Sequence, residues 1–311
     1  MFLSICRIDL FPCKNTCQGV AQMEETTQEL LDRLNHSGKK LSKSHRRIAE
    51  CIVNHYDKAA FMTASKLGEY VGVSESTVVR FASALGYDGF PQLQKALQEL
   101  IRHRLTASQR LEMTGEMGSS QVLSKVLKTD IQNIRSTLDE IDLTNFDAAV
   151  DSLLRARDIY VMGLRSSAPL AEFFGHYLNF IFPNVHTVTS GVSDVFEQVA
   201  RISEEDVLIG ISFPRYTSHT VKAMKFARSR GATLIAITDG PLSPLHAESN
   251  YCLMAKSEMA SFVDSLAAPV SLINALIVAL SQRRRAQVVE YFDDVESIWN
   301  EYHVYLGKST D

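Results

Sequence analysis

The sequence has no apolar run near the roughly 18–20 residues that a helix needs to cross a bilayer. Its longest, around Ala267–Leu280, is broken by Pro269, Ser271 and Asn274 and reads as a buried helix. It has no cationic-then-apolar start, because Arg7 and Asp9 fall among the first apolar residues, which argues against a signal peptide. Cysteine is scarce, and five in 311 residues do not make a disulfide framework. Cys6, Cys13 and Cys17 crowd the start with no histidine nearby, short of the four ligands of a structural zinc site. Cys51 and Cys252 lie in apolar patterns as small core residues. There is no internal repeat and no low-complexity tract. The expectation is a cytoplasmic protein, not attached to a membrane, with no metal and no cofactor.

What is present is enough chain for two domains, each with its own core, and an uneven charge. The net charge is -4. Residues 23–104 hold twelve Lys and Arg against ten Asp and Glu, while residues 121–311 hold seventeen against twenty-three. A basic front on an acidic back fits a nucleic-acid module joined to a soluble sensor. Residues 1–22 show neither helical nor strand period and are expected to be a disordered leader, ahead of a helix starting at Met23.

From there to residue 104 the pattern is helical. Ser42 caps a helix with Ile48, Ile52 and Tyr56 at helical spacing, Thr63 caps ASKLGEYV, Gly72 breaks, and Ser74 caps ESTVVRFASAL. Gly86 closes that segment, and Pro91 stands near the first turn of the next. Helix, glycine turn and capped second helix make a helix-turn-helix plan. In the second helix Val78, Phe81, Ala82 and Leu85 form the inward stripe, with Val79 at its edge. Ser76, Thr77 and Arg80 occupy the other face near the N-terminus, where a recognition helix meets base edges and Arg can hold guanine O6 and N7 in two bonds. Lys66, Tyr87, Gln94 and Lys95 are candidates for the phosphate contacts that position such a helix. Residues 105–120 lose periodicity, gain Gly, Ser and Thr, and read as an interdomain linker, part helical at its start.

The segment LSKSHRRIAECIVNHYDKAAFMTASKLGEYVGVSESTVVRFASALGYDGFPQLQKAL resembles the N-terminal domain of RpiR-like bacterial transcription regulators. The resemblance rests on T-A-S-x-L, then V-S-x-S-T-V-V-R-F and L-G-Y-x-G-F, in that order across residues 41–97. It implies binding to operator DNA.

After the linker the pattern changes. DIYVMGL, VHTVTS, DVLIGIS, ATLIAITD and NYCLMA are short runs rich in Val and Ile, separated by helical segments. The alternation predicts a parallel five-stranded sheet flanked by helices, so the fold class is an all-α helix-turn-helix domain joined to an α/β domain spanning residues 121–311. Ligands of such sheets sit at the carboxyl ends of the strands. Two loops there carry hydroxyls. GLRSSAP holds Ser166 and Ser167, and SFPRYTSHT holds Ser212 and then Thr217, Ser218 and Thr220 at a helix start, a pattern suited to an anion. Glu258 and Ser261, after the last strand, are further pocket candidates.

Residues 121–290 resemble the sugar isomerase (SIS) domain, the phosphosugar-binding partner expected in RpiR-like regulators. Its usual third-strand loop reads S-x-S-G-x-[ST]. Here Ser212 and Thr217 are kept, Pro214 replaces the middle serine, and Arg215 replaces the glycine. The change removes a hydroxyl and adds a cation suited to phosphate or carboxylate. Isomerases with this domain carry a carboxylate on the helix after the first strand; the matching stretch is Gly175-His176-Tyr177, with Glu172 one turn earlier. An apolar-helix histidine is more often structural, so catalysis is not expected. The resemblance implies a regulator, a homodimer or homotetramer, that binds operator DNA under control of a small anionic effector. The rival reading is a sugar-phosphate isomerase with a helical dimerisation domain.

Overall fold

The computed structural model describes residues 42–102, 107–112, 118–191 and 193–306. The leader 1–22 and the helix expected from Met23 lie outside the described residues.

The front consists of α1 (Lys43–Asn54), α2 (Tyr56–Ala59), α3 (Ala64–Val71), α4 (Glu75–Ala84) and α5 (Phe90–Arg102). Two expected caps are made: the amides of His45 and Lys66 donate to the hydroxyls of Ser42 and Thr63, each at 3.2 Å. Gly72 ends α3 at φ 72°, in the left-handed region that a side chain resists, and so lets the chain reverse into α4. Val78, Phe81, Ala82 and Leu85 of the α4 segment are buried against Ile48, Ile52, Leu67, Leu93 and Leu97, while Val79 stays 38% exposed at the edge. Burial of each large side chain contributes about 1.5–3 kcal/mol, which holds α4 against α3.

The back adds α6 (Ala107–Glu112), α7 (Ser119–Glu140) and α8 (Leu143–Arg155), then β1 (Ile159–Gly163), α9 (Ala168–Leu178), β2 (Val185–Val188), α10 (Val195–Gln198), β3 (Val207–Ile211), α11 (Ser218–Ser229), β4 (Thr233–Thr238), β5 (Tyr251–Met254), α12 (Ala267–Arg283) and α13 (Arg285–Glu301). All five strands fall within two residues of the expected runs. The sheet is parallel throughout, in the order β2-β1-β3-β4-β5. Alternate strand residues feed two cores. Ile159, Val161, Ile209 and Ile235 pack on α8, α9 and α12, while Tyr160, Met162, Leu208 and Leu234 pack on α10 and α11. Burial on both faces explains why these strands read as continuous apolar runs.

The start of the sheet is fastened by charge. Arg157 donates to Asp206 at 2.9 and 3.1 Å, to Asp158 at 3.0 Å and to Glu205 at 3.0 Å. His186, in β2, lies 2.8 Å from Asp158 and stacks on Tyr160. Bonding to His186, and then to Arg157, holds the Asp158 carboxyl below its usual range.

The linker differs from its composition. Residues 103–106 and 113–117 lie outside the described residues, but α6 is a helix and α7 already begins at Ser119. Arg110 of α6 is 1% exposed and pairs with Asp264 at 3.0 Å. A partner 154 residues away, not the local sequence, orders this segment.

Candidate nucleic-acid face and effector crevice

The outer face of α4 carries what the sequence placed there. Ser76 and Arg80 are exposed and Thr77 is half-buried. Ser74 stands at the N-cap, yet its hydroxyl makes no cap bond to a backbone amide. It bonds to the hydroxyls of Ser76 at 3.0 Å and Thr77 at 2.8 Å instead, which makes a small hydroxyl cluster at the helix start. Arg80 donates through Nε to the Ser76 carbonyl at 3.3 Å, an i to i−4 contact that lays the side chain along the helix toward its N-terminus. Lys66 is exposed on α3, one turn away across the reversal. Tyr87 is half-buried against the helical core. Lys95 lies on α5 with its side chain outside the described residues. Gln94 departs from its expected phosphate-contacting role: its amide donates to the Met62 carbonyl at 2.9 Å, a bond that ties α5 to the segment before α3.

At the sheet, β1 and β3 are neighbours, with Gly163 paired to Ile211, so the loops that follow them leave side by side where the strand order reverses. A Cβ at Gly163 would collide with the Ser167 carbonyl, so the tight turn between β1 and α9 requires glycine. Ser167 and Ser212 are each 3% exposed, and neither hydroxyl has a hydrogen-bond partner among the described residues. Ser166 is exposed. Thr217 is the N-cap residue of α11, and its hydroxyl shares a 2.6 Å bond with that of Thr220. Pro214 is buried and Arg215 exposed. Tyr216 donates to Asp239 at 2.6 Å, anchoring the β3 loop to the end of β4.

Arg215 has φ 67°, in the left-handed region, and Arg165, which the sequence did not single out, stands in the same region at φ 57° in the loop after β1. Each left-handed non-glycine residue costs about 1–2 kcal/mol. Two exposed arginines are therefore held in strained backbone at neighbouring strand ends, without ion-pair partners among the described residues. The only sequence signal was a cation directly before the Ser166-Ser167 pair.

Glu258 is not brought to this crevice. It follows β5, which β4 separates from β3. Its backbone accepts from and donates to the Asn133 amide at 2.9 and 3.1 Å, while its exposed side chain lines a separate open groove of about 600 Å³ with Ser120, Lys125, Lys128 and Gln132 of α7. His176 is exposed, with its ring edge-on to Tyr177 and Phe180 in an aromatic surface cluster. Cys252 is half-buried, and desolvation pushes its thiol up to about 12, which suits a core residue and not a nucleophile. No helix among the described residues is long and apolar enough to cross a membrane.

The segment after β5 also reaches the front: Met259 packs against the helical core, and Asp264 holds Arg110.

Two family models match. That of the helix-turn-helix domain of the rpiR family covers residues 28–103, and that of the SIS domain covers residues 152–279. An uncharacterized HTH-type transcriptional regulator of Haemophilus influenzae is 28% identical over 72% of this chain and 79% of its own length. The HTH-type transcriptional regulator HexR of Pseudomonas aeruginosa is 29% identical over 73% of this chain and 78% of its own. Among solved structures, the sugar isomerase domain of an RpiR transcription factor from Sphaerobacter thermophilus matches with a TM-score of 0.55 at 28% identity, over 57% of this chain and 99% of that one. The NanR protein of Vibrio vulnificus, solved with ManNAc-6P, matches in fold with a TM-score of 0.54 at 20% identity, over 89% of this chain and all of that one.

Proposed function

The chain belongs to the rpiR family of helix-turn-helix regulators with an SIS domain and is a DNA-binding transcription regulator, and from that premise we propose how its two sites work. Residues 23–104 read operator DNA, and residues 121–311 sense a small anion, a phosphorylated sugar or a close relative. Ser76, Thr77 and Arg80 enter the major groove. Arg80 makes the contact with most sequence information, and Lys66, Tyr87 and Lys95 contact phosphates. The anion sits between the loops after β1 and β3, held by Ser166, Ser167, Ser212 and Thr217 and clamped by Arg215 and Arg165. Glu258, across β4 and β5 from that crevice, is not among its ligands.

One observation carries the effector assignment: Ser167 and Ser212, each 3% exposed, stand at adjacent strand ends with hydroxyls that bond to no other described residue. An anionic ligand could accept from both hydroxyls without first breaking a hydrogen bond within the protein. Catalysis is not part of the reading. An isomerase needs a base beside the sugar carbonyl, whereas His176 faces aromatic edges and Glu172 is solvent-exposed.

The segment after β5 offers the connection between sites, since Met259 touches the DNA-reading core and Asp264 holds the linker. An effector that favours one placement of this segment shifts operator affinity only by its difference in affinity for the two states. The protein works as a symmetric homo-oligomer, because one helix-turn-helix reads only a few base pairs and two half-sites give useful affinity. The test is titration of the protein's own promoter DNA at several salt concentrations, with and without a panel of sugar phosphates. Salt-dependent binding that one phosphosugar alters supports the reading, and turnover of that sugar with no DNA binding contradicts it.

A further inference from the structure

The loop after β3 is fastened into both cores of the sheet. Phe213 is buried in the core shared with α8, α9 and α12, and Tyr216 packs against the other core, beside α10 and α11. Only Pro214 and Arg215 stand between them, so the chain changes sides of the sheet within that pair. Proline fixes its own φ at about −65°, which leaves the reversal to its neighbour. Arg215 makes it at φ 67°. A non-glycine residue stays in that region only where the residues around it hold it there. On one side stands buried Pro214. On the other, the Tyr216 hydroxyl donates to the Asp239 carboxylate at 2.6 Å, a short bond of the charge-assisted kind.

Asp239 is itself well placed to hold. It follows directly on β4, next to Thr238, which is fully buried. The Thr238 hydroxyl donates to that of Ser243 at 2.7 Å, and the Thr238 carbonyl accepts from the Ala255 amide at 2.8 Å. The corner that receives the phenol is therefore bonded to the start of the segment that leads from β5 to Met259 and the helical core. We propose that Tyr216 is the positioning residue of the effector clamp. Its bond to Asp239 keeps Arg215 in the left-handed region, exposed at the end of β3, before any ligand arrives. Tyr216 does not touch the anion and acts through Arg215. The glycine usual at this place in the SIS loop would adopt the turn unaided, whereas an arginine has to be held in it. A clamp set in advance spares the ligand the ordering of a long, free side chain and its loop.

This inference rests on the reading of the crevice between the β1 and β3 loops as the anion site. The test is a pair of double-variant cycles on the full chain, one with ligand and one without. Tyr216→Phe serves in both, since it keeps the packed ring and removes the hydroxyl. In the first cycle the binding of inorganic phosphate is measured by calorimetry. Arg215→Ala and Tyr216→Phe should each weaken it ~5- to 10-fold, and the double variant should bind no more weakly than Arg215→Ala alone. In the second cycle no ligand is present and the melting temperature is read. Arg215→Gly should raise it by ~1–4 °C in the wild-type background, and by less than about half as much beside Tyr216→Phe, because a released loop has already shed its strain. Wild-type phosphate binding by Tyr216→Phe, losses that multiply in the double variant, or an Arg215→Gly gain equal in both backgrounds would each overturn the positioning role and leave the anion site standing. A wild type that binds no phosphate would instead overturn the anion site, and the melting cycle then decides alone whether Tyr216 holds Arg215.

Discussion

The two ends of the parallel sheet use arginine in opposite ways. At the strand starts, Arg157 bonds Asp158, Glu205 and Asp206 at once and also donates to the Ser203 hydroxyl at 3.1 Å. At the strand ends, Arg165 and Arg215 stand exposed in left-handed backbone, in the loops that carry Ser167 and Ser212, whose hydroxyls bond to no other described residue. A satisfied charge in relaxed backbone is structure. An unsatisfied one in strained backbone is kept for something else to bind. The linker supplies a third case, since Arg110 is buried and paired, which marks it as a fastener.

Substitutions should separate these classes. The largest loss is expected from Asp264→Ala, which leaves Arg110 buried without its carboxylate partner and should cost about 3–5 kcal/mol in thermal or urea unfolding. Arg157→Ala should lower the melting temperature by less than Asp264→Ala does, because Arg157 is 47% exposed and solvent screens its ion pairs. Arg215→Gly should raise stability by about 0.5–1 kcal/mol, because glycine accepts the φ of 67° without strain, while removing the effector clamp. A stabilised Arg157→Ala protein, or an Arg215→Gly protein that unfolds early, would erase the contrast between the two ends. The smallest effect concerns acid. The folded Asp158 carboxyl sits below its usual value, so its contribution is fully present above the unfolded pKa near ~4 and is lost as pH falls through the folded value. His186→Ala removes the first cause of that lowering and should flatten the decline of melting temperature from pH 5 to pH 2.

Much of this was legible in the sequence, for local reasons. Short Val- and Ile-rich runs between helical segments located every strand, because a sheet covered on both faces must be apolar throughout. Ser42, Thr63 and Gly72 marked the helix-turn-helix, because caps and left-handed turns depend on single residue types. The parallel order put the Ser166 and Ser212 loops side by side as expected. What stayed hidden was nonlocal. Nothing near Arg110 reveals Asp264, and the linker's Gly, Ser and Thr content hides a buried cation. The rotation of α7 is decided by bonds from Asp130, Asn133 and Thr137 to a segment more than a hundred residues away. Glu258 shared the region after β5 with no sign that β4 would separate it from the crevice. Arg165 was missed because only its backbone angle distinguishes it from a surface arginine.

The most direct test of the central claim, DNA read at α4 under control of an anion held at the ends of β1 and β3, is operator affinity with and without a responsive phosphosugar, for wild type, Arg80→Ala and Arg215→Ala. Arg80→Ala should lose about 1–3 kcal/mol of operator binding in either condition, without loss of fold, since its side chain lies off the buried stripe. Arg215→Ala should bind the operator as wild type does and no longer respond to the sugar. An Arg80→Ala protein with normal operator affinity, or an Arg215→Ala protein with a full response, would contradict the account.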